Sequence, residues 1–405
     1  MKYPKSFLWG AATSSHQVEG NNTNNDWWQW EQSGKIKYSS AAATDHYNRF
    51  EEDFQIAADL GHNAHRFSVE WSRVEPRPGQ FDSKAIEHYS KVIAALKARA
   101  ITPLVTLHHF TNPVWFADIG GWMNAKAAEY YANYVKEITA ALGQGVRYWM
   151  TINEPMVYAL YSYAEGLWPP GERSFRMGFR VVNNMIQAHR RAYWAIHDIY
   201  RRHGWETPMV GFAKNVRPFL VCPLKHNPFC RLGVLWRNAY FNRYFLNSVA
   251  SSLDFIGVNY YELEYDSTDP KLPHGLLGGN CTHQHKHLEH MNQLGWGLFP
   301  EGLGIAFRWL ARYRKPILVS ENGTCEFDDI WRQRFIEAHI KEMDSAIAKG
   351  TNIIGYCYWS LLDNFEWHHG PSVRFGLVDV NYETFERTVR PSARRYKALI
   401  QERQG

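Results

Sequence analysis

The chain has 405 residues, of which 45% are apolar and 21% charged, too much apolar and aromatic material for a disordered chain. At this length roughly three quarters of the unfolded surface is buried on folding, so a core needs neither disulfides nor a metal staple. The net charge of +5 is spread along the chain; the pairs Arg190-Arg191, Arg201-Arg202 and Arg394-Arg395 read as solvated helix faces, which argues against nucleic-acid and membrane partners.

Residues 1 to 5 run into a short apolar stretch broken by glycines, without the continuous apolar segment and cleavage site of a signal peptide. No run approaches the ~18 apolar residues that would span a bilayer. Five cysteines (Cys222, Cys230, Cys281, Cys325 and Cys357) are an odd and sparse count, which suggests free thiols in a reducing compartment. The expected location is the cytoplasm.

Along the chain, β-rich apolar runs bounded by Pro, Gly or charge predict strands at 7–14, 64–71, 102–109, 148–155, 208–215, 254–261, 316–323 and 353–360. Helical patterns lie between them. From 82 to 100, Ile86, Tyr89, Val92, Ile93 and Leu96 share one face, with Asp82 or Ser83 as the cap. From 124 to 143 the pattern has Asn124 as cap and Gly143 as stop, and longer helical patterns run over 174–204, 328–350 and 391–404.

Eight alternations of apolar strand and helix indicate a parallel sheet covered on both faces. The expected fold is α/β, a single (β/α)8 TIM barrel with inserted βα loops forming one domain over 1–405. A doubly wound sheet is the alternative, but the Gly-rich phosphate fingerprint after its first strand is missing.

Barrels of this kind carry chemistry at the C-terminal ends of their strands. The candidates there are Gln17 and Glu19 after strand 1, Arg66 and Glu70 on strand 2, and His108 and His109 on strand 3. Strand 4 ends in Asn153 and Glu154, strand 6 in Asn259 and Tyr261, strand 7 in Glu321 and Asn322, while strand 8 leads into Trp359, Asp363, Glu366 and Trp367. Two carboxylates facing each other across the mouth, with amides and indoles around them, are equipment for cleaving a glycosidic bond. Taken singly, Glu154 also reads as a buried hydrogen-bonding group, Arg66 as a salt-bridge partner, and most of the 17 Trp as core.

The segment Cys281-Thr-His283-Gln-His285-Lys-His287-Leu-Glu-His290 places alternate histidines on one face of an extended chain, as a zinc or nickel site would. It lies in a long connection preceded by glycines, and no matched spacing or supporting residue is evident, so a solvated loop is the reading adopted.

Six stretches carry a family resemblance: FLWGAATSSHQVEG at 7–20, HRFSVEWSRVEP at 65–76, TINEP at 151–155, DFIGVNYY at 254–261, VSENG at 319–323 and GYCYWSLLDNFEW at 355–367. Through them the chain resembles the family 1 glycoside hydrolases, of β-glucosidase and β-galactosidase type, over essentially its whole length. The resemblance implies that Glu154 is the general acid/base and Glu321 the nucleophile. It implies that Gln17, His109, Asn153, Tyr261, Trp359, Glu366 and Trp367 hold the terminal sugar, with Arg66, Asn259 and Tyr261 supporting the nucleophile. Substrates would be small β-glycosides or short oligosaccharides, hydrolysed with retention by two carboxyls ~5 Å apart, and no cofactor or metal is required. Arg66 is expected to keep the pKa of Glu321 low, and burial facing that charge to push Glu154 up.

The chain departs from the family pattern in places. His109 is followed by Phe110-Thr111 where relatives commonly have Trp-Asp, so an indole N–H donor is lost and preference among sugar epimers is left open. Glu366 would repel a 6-phosphate and so favours a neutral sugar, and the presence of Glu154 favours O-glycosides over thioglucosides. The short chain implies trimmed βα loops and an open leaving-group side. A transglycosidase using the same intermediate, or a catalytically silent sugar-binding barrel, stand as alternatives.

Overall fold

The computed structural model describes residues 2–224, 228–267, 279–281 and 290–404. Among the described residues thirteen strands appear in chain order: β1 Leu8–Ala12, β2 Ala64–Ser68, β3 Thr102–Thr106, β4 Tyr148–Asn153, β5 Met209–Asn215, β6 Phe219–Val221, β7 Ile256–Tyr260, β8 Glu264–Ser267, β9 Gly279–Asn280, β10 Ile317–Asn322, β11 Ile353–Trp359, β12 Val378–Val380 and β13 Arg387–Val389. Eight of them close a barrel in the order β1-β11-β10-β7-β5-β4-β3-β2. The pairs are parallel throughout the ring, as near-continuous apolar strands require.

One main helix follows each barrel strand: α1 His46–Asp59, α2 Ser83–Ala98, α3 Ala127–Leu142, α4 Phe175–His203, α5 Pro228–Arg237, α6 Glu301–Leu310, α7 Asp329–Ala348 and α8 Pro391–Arg403. This is the (β/α)8 barrel expected from the alternation, and all eight strands fall where the apolar runs put them. Asp82 caps α2 by accepting from Lys84 N–H at 2.8 Å and Ala85 N–H at 3.3 Å. Asn124, expected to cap α3, does not: it accepts from Lys126 N–H at 2.8 Å in the preceding turn, and the helix begins at Ala127.

Inside the ring, Leu8, Ala64, Leu104, Met150, Phe255, Leu318 and Cys357 form a buried plug, so the barrel is packed rather than hollow. The sequence pattern did not show the small sheets β6-β8-β9 and β12-β13. Their strands are all two to four residues long, too short for a period-two signal. Among the described residues no helix is long and apolar enough to cross a membrane.

Candidate active site

The two carboxyls sit where the strand ends change direction. Glu154 leaves β4 in the left-handed region (φ 43°), and Pro155 at once starts the short helix Pro155–Ala159. Its N–H donates to Ala213 O of β5 at 2.8 Å, which pins the strained residue to the neighbouring strand. Glu321 lies at a register shift in β10, where Val319 pairs with Val258 but Glu321 with Asn259. Such an irregularity re-aims a side chain. Two residues on, Gly323 passes so close to Trp359 that a Cβ would meet its carbonyl oxygen at 1.8 Å, which accounts for the glycine after Glu321-Asn322.

Arg66, wholly buried, distributes its guanidinium over the floor. Nη1 donates to Glu321 Oε1, Nη2 to Asn153 Oδ1 at 2.7 Å, and Nε to Thr106 Oγ1 at 3.0 Å. The Tyr261 hydroxyl donates to the other oxygen of Glu321 at 2.6 Å. Asn259 is oriented by Ser320, whose hydroxyl donates to Oδ1 at 2.7 Å. That turns its Nδ2 toward Glu154 Oε1 at 2.7 Å and Asn153 Oδ1 at 3.1 Å. Asn215, at the end of β5, also donates to Glu154 Oε1, at 3.1 Å.

Burial, then the nearby charge of Glu321, pushes Glu154 up to about 7. Glu321 is also raised, contrary to expectation. Loss of hydration by burial outweighs the opposing pull of Arg66, Tyr261 and Asn259. Glu321 nevertheless has a cation and a phenol on its oxygens, whereas the described donors to Glu154 are two neutral amides. The asymmetry lets one carboxyl carry the charge while the other keeps its proton.

A third carboxyl, Glu366, is pushed up to about 8 by burial and then by Glu321. Gln17 donates to it at 3.2 Å and is itself fixed by the Ser14 hydroxyl at 2.6 Å. Asn153 Nδ2 donates to His109 Nε2 at 3.1 Å. That leaves the ring proton on His109 Nδ1, which has no hydrogen-bond partner among the described residues. Trp359 and Trp367 lie face on to the His109 ring, with centroids at 5.9 and 6.2 Å.

Gln17, His109, Asn153, Glu154, Tyr261, Glu321, Trp359, Glu366 and Trp367 all line one cleft holding about 790 Å³, open mouth included. Arg66 and Asn259 stand behind that lining and act through Glu321, Asn153 and Glu154. Other strand-end candidates lie outside it. Glu19 binds Arg73 and Tyr89, Glu70 binds Ser15, Ser72 and Thr111, and Asp363 pairs with Arg390 and Arg374. His108 meets Asn112, and Asn322 ties Tyr260 O to the Tyr356 hydroxyl. Sequence reasoning passed over Asn215, Trp168, Arg217, Glu262 and Trp296, which also line the cleft. For Asn215 the signal was available: a polar amide closing an apolar strand, as at Asn153.

Of the histidine-rich segment, His283, His285 and His287 lie outside the described residues. The Cys281 thiol meets Cys222 Sγ at 3.1 Å, and His290 meets Glu326 at 3.1 Å and stacks on Trp331. No group of three metal-ligating side chains occurs among the described residues.

The model of Glycosyl hydrolase family 1 matches residues 1–226 and 237–405. A β-glucosidase A of Thermotoga maritima is 30% identical, with 98% of each chain covered. Among solved structures, a β-glycosidase from Pyrococcus horikoshii superposes with a TM-score of 0.91 at 38% identity, covering 98% of this chain and 94% of that one. The Thermotoga maritima β-glucosidase in complex with glucoimidazole superposes with a TM-score of 0.90 at 28% identity, each chain fully covered.

Proposed function

Since the chain belongs to glycosyl hydrolase family 1 and is a glycoside hydrolase, we propose that it is a retaining exo-β-glycosidase that removes terminal, unphosphorylated β-D-glucosyl, galactosyl or fucosyl units. Glu154, protonated, gives its proton to the leaving-group oxygen while Glu321 attacks the anomeric carbon from the opposite face. A glycosyl ester forms on Glu321 as the glycosidic C–O bond breaks. Glu154, now ionised, takes a proton from water, which attacks the same carbon and releases both the sugar and Glu321.

The observation that carries this reading is the unequal support of the two carboxyls, with Arg66 and Tyr261 bonded to Glu321 and, among the described residues, the neutral amides of Asn259 and Asn215 bonded to Glu154. Gln17, Glu366 and His109 offer hydroxyl-binding groups in the cleft, and Trp359 offers an apolar face. Their enclosure favours a chain end over an internal sugar. Glu366 in the cleft lining brings a carboxyl and no cation to a phosphate dianion. We further read residues 1–405 as one barrel domain, cytoplasmic on the cysteine count.

Incubation with a 2-deoxy-2-fluoro aryl β-glycoside tests the assignment. The fluorosugar is expected as an ester on the peptide containing Glu321, and the product of an ordinary aryl β-glycoside is expected first as the β-anomer by NMR. Label on another residue, or α-anomer first, refutes it.

A further inference from the structure

Helix α5 turns an unusual face outward for a helix packed on a barrel. Cys230, Gly233 and Val234 point inward, while Phe229, Leu232 and Leu235 are 65, 63 and 63% exposed and Trp236 is 46% exposed. The apolar surface continues onto the start of α4. Trp236 stacks on Tyr240 at 5.5 Å, and Phe179 meets Tyr240 at 6.4 Å and Tyr244 at 5.4 Å. Phe179 is itself largely exposed. Contiguous apolar surface of this kind marks an interaction site rather than a scatter of exposed side chains.

The two stretches of chain that carry it hold charge of one sign, while Glu264 of β8 is taken up by Arg237 and Arg217. The sequence contains no Asp or Glu from 173 to 197 or from 225 to 253. Arg176, Arg180 and Arg231 are exposed on the same two helices. Read linearly, the basic residues of this chain are dispersed; here Phe179, between Arg176 and Arg180 on α4, meets Tyr240 and Tyr244 just beyond α5, which carries Arg231.

We propose that this face is a docking surface for an anionic lipid bilayer. Phe229, Leu232, Leu235 and Trp236 enter the boundary between headgroups and acyl chains, and Arg176, Arg180 and Arg231 meet the lipid phosphates. Leu, Phe and Trp on one face with arginines at its margin are what hold a helix in the plane of an interface. Each arginine adds its own attraction to an anionic leaflet. A second copy of the chain is a poorer occupant, because self-association would press Arg231, Arg176 and Arg180 against like charges. The attachment is peripheral, and it sets the cleft wall near the bilayer, since Arg237 of α5 and Arg217 of the cleft share Glu264 at 2.8 and 2.6 Å.

Flotation of the full chain with vesicles decides the matter. The protein is expected to rise with phosphatidylcholine vesicles containing about one third phosphatidylglycerol, not with phosphatidylcholine alone, and to be released by high salt. The triple variant Arg176→Ala/Arg180→Ala/Arg231→Ala should lower the partition coefficient about 100-fold, each arginine contributing about fivefold. Leu232→Gln/Leu235→Gln/Trp236→Gln should lower it about tenfold or more. Both variants should keep the wild-type kcat/KM on a soluble aryl glycoside, which shows that they fold. If either loses that activity, the single variant Leu232→Gln and the salt response of the wild type still decide. Wild-type protein left behind by anionic vesicles, or apolar variants that float equally well, overturns the proposal. So does a concentration-dependent dimer that the apolar variant abolishes without any vesicle binding, which would assign the face to a second copy.

Discussion

Asn259 donates its Nδ2 hydrogen to Oε1 of Glu154 at 2.7 Å, and the same amide side chain also steadies Glu321. One neutral group thus serves both carboxyls, so the difference between them comes from what else each one touches. Glu321 has Arg66 and Tyr261, and Glu154 has Asn215.

The pH dependence follows. Glu154 acts as an acid only while protonated, and its pKa stands at about 7. The basic limb of kcat/KM for an alkyl β-glycoside is therefore expected near pH 7. Replacing Glu154 by Gln should remove that limb together with most of the rate. A pH–rate profile that stays flat through pH 9 for the wild type would mean that Glu154 does not supply the proton.

Arg66 governs the opposite limb. Its charge partly offsets the burial that raises Glu321, so Arg66→Met should raise the Glu321 pKa further and move the acid limb to higher pH. Loss of a charged donor at the reacting carboxylate should also lower kcat by about 10²–10³. An unmoved acid limb with a lowered Tm alone would make Arg66 a purely structural salt-bridge partner.

Chemical rescue separates the two carboxyls from each other. Glu321→Ala should abolish turnover, with azide restoring it and yielding the inverted glycosyl azide. Glu154→Ala should slow alkyl glycosides far more than aryl glycosides with good leaving groups, because only the former need protonation. Circular dichroism of both variants should match the wild type. If azide rescued Glu154→Ala with inversion instead, the two roles would have to be exchanged.

Much of this was legible in the sequence because each barrel strand is a dense apolar run that stops at a polar residue. Those stops, Asn153-Glu154, Asn259 and Glu321-Asn322, are the places where the chain leaves the ring. What stayed hidden depends on three-dimensional neighbours. Asn215 closes β5 like the others and could have been read; that it donates to Glu154 of the neighbouring strand could not. The rise in the Glu321 pKa could not be foreseen from a nearby arginine alone, because the depth of burial is set by packing. The sheet β6-β8-β9 is built from strands too short to carry a pattern. The arginine-bearing start of α4 is distant in sequence from α5 and meets the tyrosines that follow it only after folding.

Glu366 shows that the site is held against the preference of the fold. Its carboxyl is raised from 4.5 to about 8, first by burial and then by the charge of Glu321, with Gln17 offsetting part of the rise. Between those two values the folded protein retains a proton that the unfolded chain has released. The contribution to stability is therefore fully present below the unfolded pKa and is lost as pH rises through the folded one. Glu366→Gln removes this titration while keeping an oxygen to accept from Gln17. The variant should match the wild type in Tm below pH 4.5 and exceed it by about a few degrees at pH 8. Its KM for terminal glycosides should rise, because a hydroxyl-binding carboxyl has gone. Thermal melts across that pH window check the sign, and a Tm difference that does not change with pH would mean that Glu366 is ionised in the resting enzyme.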